Sequence, residues 1–208
     1  MAILDLIFSK NCLECGRAGK YICGDCLKKV PPGGWTAKNT YSVFKYERVI
    51  RKAIIALKYK YSTQIASELA EVCVTRLVSS HLVSSYCLVP IPLHWYRHNF
   101  RGFNQAEEVG KLVAKGMGWQ FIPDLLIRNK ATIPQVQLTR PARRSNLSGV
   151  FALNPNYSLS AIPHTLILFD DVLTTGSTLL EASKVLREGG AKRILLNVKH
   201  RFLLNLHR

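Results

Sequence analysis

The stretch from residue 166 to 178 constrains the fold of this chain more than any other. It reads Leu-Ile-Leu-Phe-Asp-Asp-Val-Leu-Thr-Thr-Gly-Ser-Thr, which is a short apolar run, two carboxylates, and small hydroxyl residues around a glycine. An apolar run of this length is typical of a buried strand, and from residue 179 to 186 the apolar residues recur at helical spacing. The sequence therefore predicts a strand, a loop and a helix. The helix should end at Gly189 and Gly190, and a further strand should span residues 193–198.

The turn between this strand and helix has the composition of an anion site. Backbone N–H groups at the start of a helix point at one spot and favour a phosphate there. Asp170 and Asp171 stand at the carboxyl end of the strand, where open α/β sheets hold ligands. A P-loop is excluded, because no Lys-Ser or Lys-Thr pair follows the glycine at the required spacing. The residues small enough to admit a phosphate are Thr174, Thr175, Gly176, Ser177 and Thr178.

This stretch resembles the ribose-phosphate signature of the phosphoribosyltransferase superfamily, which has four apolar residues, two acids, two apolar residues and Thr-Thr-Gly-x-Thr. The resemblance implies that Asp170 and Asp171 face the ribose hydroxyls as the catalytic pair. It also implies that residues 174–178 hold the 5'-phosphate of phosphoribosyl pyrophosphate, bound together with Mg²⁺. The alternative is a strand whose terminal acids cap the next helix.

Length and charge narrow the class of protein. The 208 residues suit one medium domain with a small appendage, and the formal net charge of +16 predicts an anionic partner. No acidic residue lies between Asp124 and Asp170, whereas five cations do. A solvated basic surface would explain part of this excess. No apolar run reaches membrane-spanning length and no signal peptide is evident, so we expect a cytoplasmic protein without membrane insertion.

Four cysteines near the start of the chain form two Cys-x-x-Cys pairs separated by seven residues. This is the spacing of a four-cysteine zinc site, and four thiolate ligands would leave no open position, so the zinc should be structural. A segment of about thirty residues with few large apolar side chains needs such a metal to fold. Disulfides and a redox role are the alternatives. The predicted ligands are Cys12, Cys15, Cys23 and Cys26.

The cluster Pro31-Pro32-Gly33-Gly34 predicts a linker. We therefore expect a zinc ribbon over residues 1–34 and a second domain over residues 35–208. Within that domain, residues 119–122 and 125–128 are predicted to form a strand pair broken by Pro123 and Asp124. Residues 129–149 lack periodicity, and loops of that length are usually functional or disordered.

A second resemblance involves the segment after the strand predicted at residues 86–91. Val-Pro-Ile-Pro-Leu-His, a later Arg, and Arg-Gly-Phe-Asn-Gln-Ala resemble the signature of the ComF family of competence proteins and its relative GntX. That family joins a four-cysteine zinc module to a type I phosphoribosyltransferase-like domain. The resemblance implies an α/β fold with a mainly parallel sheet flanked by helices. It assigns Arg97, Arg101 and Gly102 to the pyrophosphate pocket.

The same resemblance covers the aperiodic segment 129–149, which matches the family's mobile loop. Arg140, Arg143 and Arg144 would meet the pyrophosphate when this loop closes. The alternative is an exposed basic loop with no such role. His94 and His98 are candidate acid/base groups, although histidines of this kind are more often partly buried polar residues.

Two functions follow from these resemblances. The first is a glycosyltransferase that transfers a pentosyl group from phosphoribosyl pyrophosphate to an acceptor that the sequence does not identify. The second is a protein that binds single-stranded DNA during natural transformation, beside a competence helicase, and uses the fold as a scaffold or sensor. A zinc-ribbon adaptor is a third and weaker interpretation, because it leaves the Asp-Asp motif without a role.

Overall fold

The computed structural model describes residues 10–37, 39–59, 62–80, 85–93, 102–129, 149–170 and 176–201. In these ranges the helices are α1 (Gly24–Lys28), α2 (Arg48–Tyr59), α3 (Thr63–Ser79), α4 (Gln105–Met117) and α5 (Ser177–Glu188), with a 3₁₀ turn at Leu159–Ala161. The strands are β1 (Pro32–Ala37), β2 (Thr40–Lys45), β3 (Cys87–Pro90), β4 (Gln120–Phe121), β5 (Leu126–Arg128), β6 (Phe151–Leu153), β7 (Thr165–Asp170) and β8 (Arg193–Arg201).

Six strands form the main sheet, in the order β1-β2-β8-β7-β3-β4. All neighbouring pairs are parallel except β1 with β2, which is antiparallel. Parallel strands need crossover connections, and α4 joins β3 to β4 while α5 joins β7 to β8. The predicted fold class, an α/β fold with a mainly parallel sheet flanked by helices, is confirmed.

The strand β7 shows why the sheet is buried on both faces. Its residues alternate between two apolar clusters, as the period of two in a strand requires. Ile167 and Phe169 belong to the cluster that contains the buried residues of α2, α3 and α4. Leu166 and Leu168 belong to the cluster that contains the buried residues of α5. A continuous apolar run is thus the signature of a strand between two layers of helices.

The prediction that residues 119–122 and 125–128 form a strand pair is wrong. The strand β4 joins the main sheet in parallel with β3, whereas β5 pairs in antiparallel fashion with β6 to form a separate two-stranded ribbon. Pro123 and Asp124 therefore separate two sheets instead of turning one hairpin. Asp124 stabilises this crossing point, because it accepts hydrogen bonds from the Tyr157 hydroxyl (2.6 Å) and from Asn154 Nδ2 (3.3 Å to Oδ2).

The Pro-Gly cluster that predicts a linker lies largely in strand β1, the edge strand of the main sheet. Gly33 packs so closely on β2 that an added Cβ would lie 1.8 Å from the Ser42 carbonyl oxygen. Glycine is needed here for a close approach between two strands and not for flexibility. The domain boundary at residue 34 stays a prediction.

Within the described ranges, the structure contains no helix that is both long enough and apolar enough to cross a membrane.

Candidate ligand cleft and metal centre

The strands β3 and β7 are neighbours in the sheet, and the chain leaves them in opposite directions. From β3 it passes through α4 to β4 on one side, and from β7 it passes through α5 to β8 on the other. Where two such connections diverge, a crevice opens outside the carboxyl ends of the strands, and open α/β sheets bind ligands at this switch point. The structure therefore has a candidate ligand cleft at the carboxyl ends of β3 and β7.

On the β3 side of the candidate cleft, Asn104 links the end of β3 to the start of α4. Its side-chain Nδ2 donates a hydrogen bond to the Ile91 carbonyl oxygen (3.0 Å), just beyond β3. Its Oδ1 accepts one from the Ala106 backbone N–H (3.1 Å) and so caps α4. Gly102 lies two residues earlier, with φ of 75°. Asn104 with Glu107 three residues later is a sequence pattern that predicts a helix start, but the bond to Ile91 depends on a tertiary contact that no local pattern predicts.

The β7 side of the cleft contains the predicted phosphate turn. Asp170 is the last residue of β7 and is half-buried. Gly176 adopts the left-handed conformation, with φ of 77°, at the N-cap of α5. This position favours glycine because a Cβ would be strained there. Ser177 and Thr178 then form the first turn of α5, which carries no acidic residue. The N-terminal end of α5, which is the end that attracts anions, therefore has no acidic residue in its first turn.

The remaining predicted cleft residues lie outside the described ranges. The assignments of the arginines to pyrophosphate and of the turn to phosphate stay predictions. The undescribed residues are Arg97, Arg101, Arg140, Arg143, Arg144, Asp171, Thr174 and Thr175, together with His94 and His98.

Hydrogen bonds from backbone N–H groups fix the described residues at the two ends of the basic segment, residues 129–149. The Asn129 backbone N–H donates to the Val150 carbonyl oxygen (2.9 Å), which closes the segment at its base. The Gly149 N–H donates to Oε1 of Glu181 (2.8 Å), one turn into α5. The described residues at the two ends of this segment therefore lie close together, and Gly149 contacts α5.

The four predicted metal ligands come together. The Sγ atoms of Cys12, Cys15, Cys23 and Cys26 all lie within 4.8 Å of one another. The sulfur atoms of Cys15 and Cys23 are 3.7 Å apart. A tetrahedral site with Zn–S bonds of about 2.3 Å has sulfur atoms roughly 3.8 Å apart, so the donor set fits a metal such as zinc.

The electrostatics of the four thiols also favour a cation. Burial raises the pKa of Cys26 to about 12, and the neighbouring sulfur atoms add to this shift. Burial acts in the same direction on Cys12, but hydrogen bonds from the backbone of Cys15, Cys23 and Glu14 outweigh it and lower its pKa to about 6. Thiolates this close repel one another unless some of them are protonated. A divalent cation between them would offset the repulsion and allow all four to be ionised.

The cysteine module is held against the main sheet's helices by polar contacts and by core packing. The Ile22 N–H donates to Oε2 of Glu68 on α3 (2.8 Å). Arg48, the first residue of α2, forms an ion pair (3.4 Å) with Glu14, which lies between Cys12 and Cys15. The side chains of Ile22 and Cys26 belong to the same apolar cluster as α2 and α3. No local sequence signal predicts these long-range contacts.

These features define a mainly parallel α/β protein with a candidate ligand cleft at its switch point and a four-cysteine module that packs against the helices. No family model matches the chain. It is 30% identical over 193 residues to competence protein F of Haemophilus influenzae, covering 88% of this chain and 81% of that protein. It is 29% identical over 190 residues to DNA utilization protein YhgH of Escherichia coli K12, covering 88% and 80% of the two chains.

The chain therefore belongs to the family of competence protein F and DNA utilization protein YhgH, and the resemblance to ComF proteins predicted from the sequence is confirmed. Among solved structures, the allosteric regulatory enzyme of purine biosynthesis aligns with a TM-score of 0.44 and 12% identity. That alignment covers 71% of this chain but only 30% of the enzyme, and a likeness at this level carries no functional argument.

Proposed function

We propose that this protein binds phosphoribosyl pyrophosphate with Mg²⁺ in the cleft between β3 and β7 and acts on incoming single-stranded DNA during natural transformation. The observation that supports this most directly is the switch point itself, with Asp170 at the end of β7 and left-handed Gly176 opening α5. The relatives named for competence and DNA utilization support the biological role.

The chemistry of the cleft suits a phosphorylated ribose. The first turn of α5 offers backbone N–H groups to a phosphate, while carboxylates at the end of β7 accept hydrogen bonds from ribose hydroxyls and support Mg²⁺. Arg97 and Arg101 near β3, and the arginines of the basic segment, would supply charge-assisted hydrogen bonds to the pyrophosphate. We further propose that the four cysteines hold structural zinc and that the protein works in the cytoplasm.

Calorimetry with phosphoribosyl pyrophosphate and Mg²⁺ tests the cleft. Asp170→Asn and Asp171→Asn should each weaken binding about tenfold or more, because hydrogen bonds to charged groups contribute roughly 1.5–3 kcal/mol. Glu188→Gln, at the opposite end of α5, is the matched control and should bind as the wild type does. An absence of binding by the wild type, or equal binding by the Asp variants, would contradict the proposal.

Pentosyl transfer is the second candidate function, and the pair of acids at a strand end favours it. Such transfer passes through a cation-like ribose, so that positioning and charge stabilisation supply most of the catalysis. Release of pyrophosphate in the presence of a nucleobase, an amine or single-stranded DNA would establish an enzyme. Tight ligand binding without release would identify a protein that uses the cleft as a sensor.

A further inference from the structure

The outward face of α2 carries cations and an exposed aromatic ring but no carboxylate. At 100° per residue, Arg48, Arg51, Lys52 and Tyr59 fall within one stripe about 100° wide, which also contains the half-buried Ile55. Arg51 and Lys52 are exposed, and Tyr59 is 78% exposed. The opposite face is buried in the core through Val49, Ile50, Ala53, Ile54 and Leu57. We call this stripe the α2 basic face.

The charge of the α2 basic face is largely uncompensated. Arg48 pairs with Glu14, but in the described part of the chain neither Arg51 nor Lys52 forms an ion pair. The helix α1 packs against α2 and adds two exposed cations at its C-terminal end, Lys28 and Lys29. The nearest acid of α1, Asp25, is engaged with Arg17. A polyanion would meet attraction along the whole stripe.

The position of this face relates it to the ligand cleft. The strand β2, which leads into α2, runs parallel to β8, and β8 runs parallel to β7. The carboxyl ends of β2 and β7 therefore lie at the same edge of the sheet, separated by two strand spacings, which is about 10 Å across the sheet. Ser42 is level with Asp170, because both pair with Val198, and β2 continues three residues further to Lys45. The α2 basic face begins near the edge that carries the cleft and extends along the helix to Tyr59.

We propose that the α2 basic face binds single-stranded DNA. Cations contact phosphates whatever the sequence, whereas an exposed aromatic ring stacks on bases that are unpaired. The combination of Arg51, Lys52 and Tyr59 thus selects a single strand over a duplex. This inference rests on the proposed role in handling DNA and identifies the surface that would perform it.

The charge contribution is tested by fluorescence anisotropy with labelled oligo-dT over a range of salt concentrations. In the double variant Arg51→Gln/Lys52→Gln, the slope of log K against log salt should become shallower by about 1.4, which is roughly 0.7 for each phosphate contact. Lys111→Gln/Lys115→Gln removes the same charge from the exposed face of α4 and is the matched control. An unchanged slope in the α2 variant, or an equal change in the control, would overturn the proposal.

The stacking contribution is tested separately. Tyr59→Ala should weaken oligo-dT binding by roughly fivefold or more without altering the salt slope, while Tyr59→Phe keeps the ring and should retain affinity. Tighter binding of duplex DNA or of oligo-rU than of oligo-dT, or no binding of oligo-dT by the wild type, would also overturn the proposal.

Calorimetry on the same α2 variant separates this proposal from the proposed function. Arg51→Gln/Lys52→Gln should bind phosphoribosyl pyrophosphate as the wild type does, because neither residue belongs to the cleft. If the wild type binds phosphoribosyl pyrophosphate but not oligo-dT, the assignment of the α2 basic face falls and the cleft stands. If the wild type does not bind phosphoribosyl pyrophosphate, the proposed function falls whatever the DNA result.

Discussion

The cysteine module and the turn between β7 and α5 are both candidate binding sites, but they are built by different means. The module depends on side chains, since four clustered sulfur atoms form its candidate metal site and three of these cysteines also belong to the apolar core. The turn depends on the backbone, since a left-handed glycine and a helix start create it. A site of the first kind contributes to stability, whereas a site of the second kind mainly determines affinity.

The largest effect should come from the metal ligands. Cys26→Ser removes a ligand that is only 3% exposed, and we expect the free energy of unfolding to fall by about 3 kcal/mol or more, because the binding of a structural metal contributes to folding. Metal analysis and denaturant unfolding of the purified variant provide the measurement. Removal of the metal with a chelator should have the same result.

The control for this prediction is another cysteine outside the cluster. Cys87 on β3 is half-buried and donates to Oε1 of Gln120 (3.0 Å). Cys87→Ser should keep the metal content and lose less than about 1 kcal/mol. If Cys26→Ser kept its metal and its stability, the module would not be a structural metal site.

A smaller effect is expected where the module contacts α3. Glu68→Ala leaves the Ile22 N–H without its acceptor, so stability should fall by about 2 kcal/mol, within the range for hydrogen bonds to charged groups. Metal content should not change. Glu71→Ala is the matched control on the same helix, because its ion pair with Lys20 is exposed and should contribute less than about 0.5 kcal/mol. Equal effects of the two substitutions in chemical denaturation would show that the Glu68 contact does not anchor the module.

The smallest stability change, with a large change in affinity, should come from the turn. Gly176→Ala forces an L-residue into the left-handed region at a cost of about 1 kcal/mol. Binding of phosphoribosyl pyrophosphate should weaken roughly tenfold or more, because the displaced backbone loses hydrogen bonds to the phosphate.

Gly118 supplies the control, because it has a similar φ of 68° at the C-terminal cap of α4. Gly118→Ala should have a similar cost in thermal unfolding but leave the affinity unchanged in calorimetry. If both variants lost affinity, general destabilisation would explain the effect. The turn between β7 and α5 would then not differ from the cysteine module in the way described above.

The features predicted successfully from the sequence are those with a local cause. The apolar run of β7 is buried on both faces, and that alone predicts a strand between two layers. The two Cys-x-x-Cys pairs bring their sulfur atoms together in short turns, so their spacing was sufficient to predict the cluster. The cap of α4 at Asn104 follows from the side-chain chemistry of one residue.

The features that were missed have tertiary causes. Two short apolar runs on either side of Pro123 suggested a hairpin, but the partners of β4 and β5 are distant in sequence. Gly33 suggested a linker, although its lack of a side chain serves the contact with Ser42. The pairing of Arg48 with Glu14 required both the module and α2 to be in place. Such contacts become visible only when the fold is known.

The bond from Asn104 to Ile91 affects how the family can change over time. Because a single side chain joins the two ends of the connection between β3 and α4, the part in between can be lengthened at little cost, only about 0.6 kcal/mol for each doubling. Insertions there would not shift the helix or the sheet. Changes of length in this connection would therefore be a low-cost way to alter the candidate cleft while the sheet and helix beneath it stay the same.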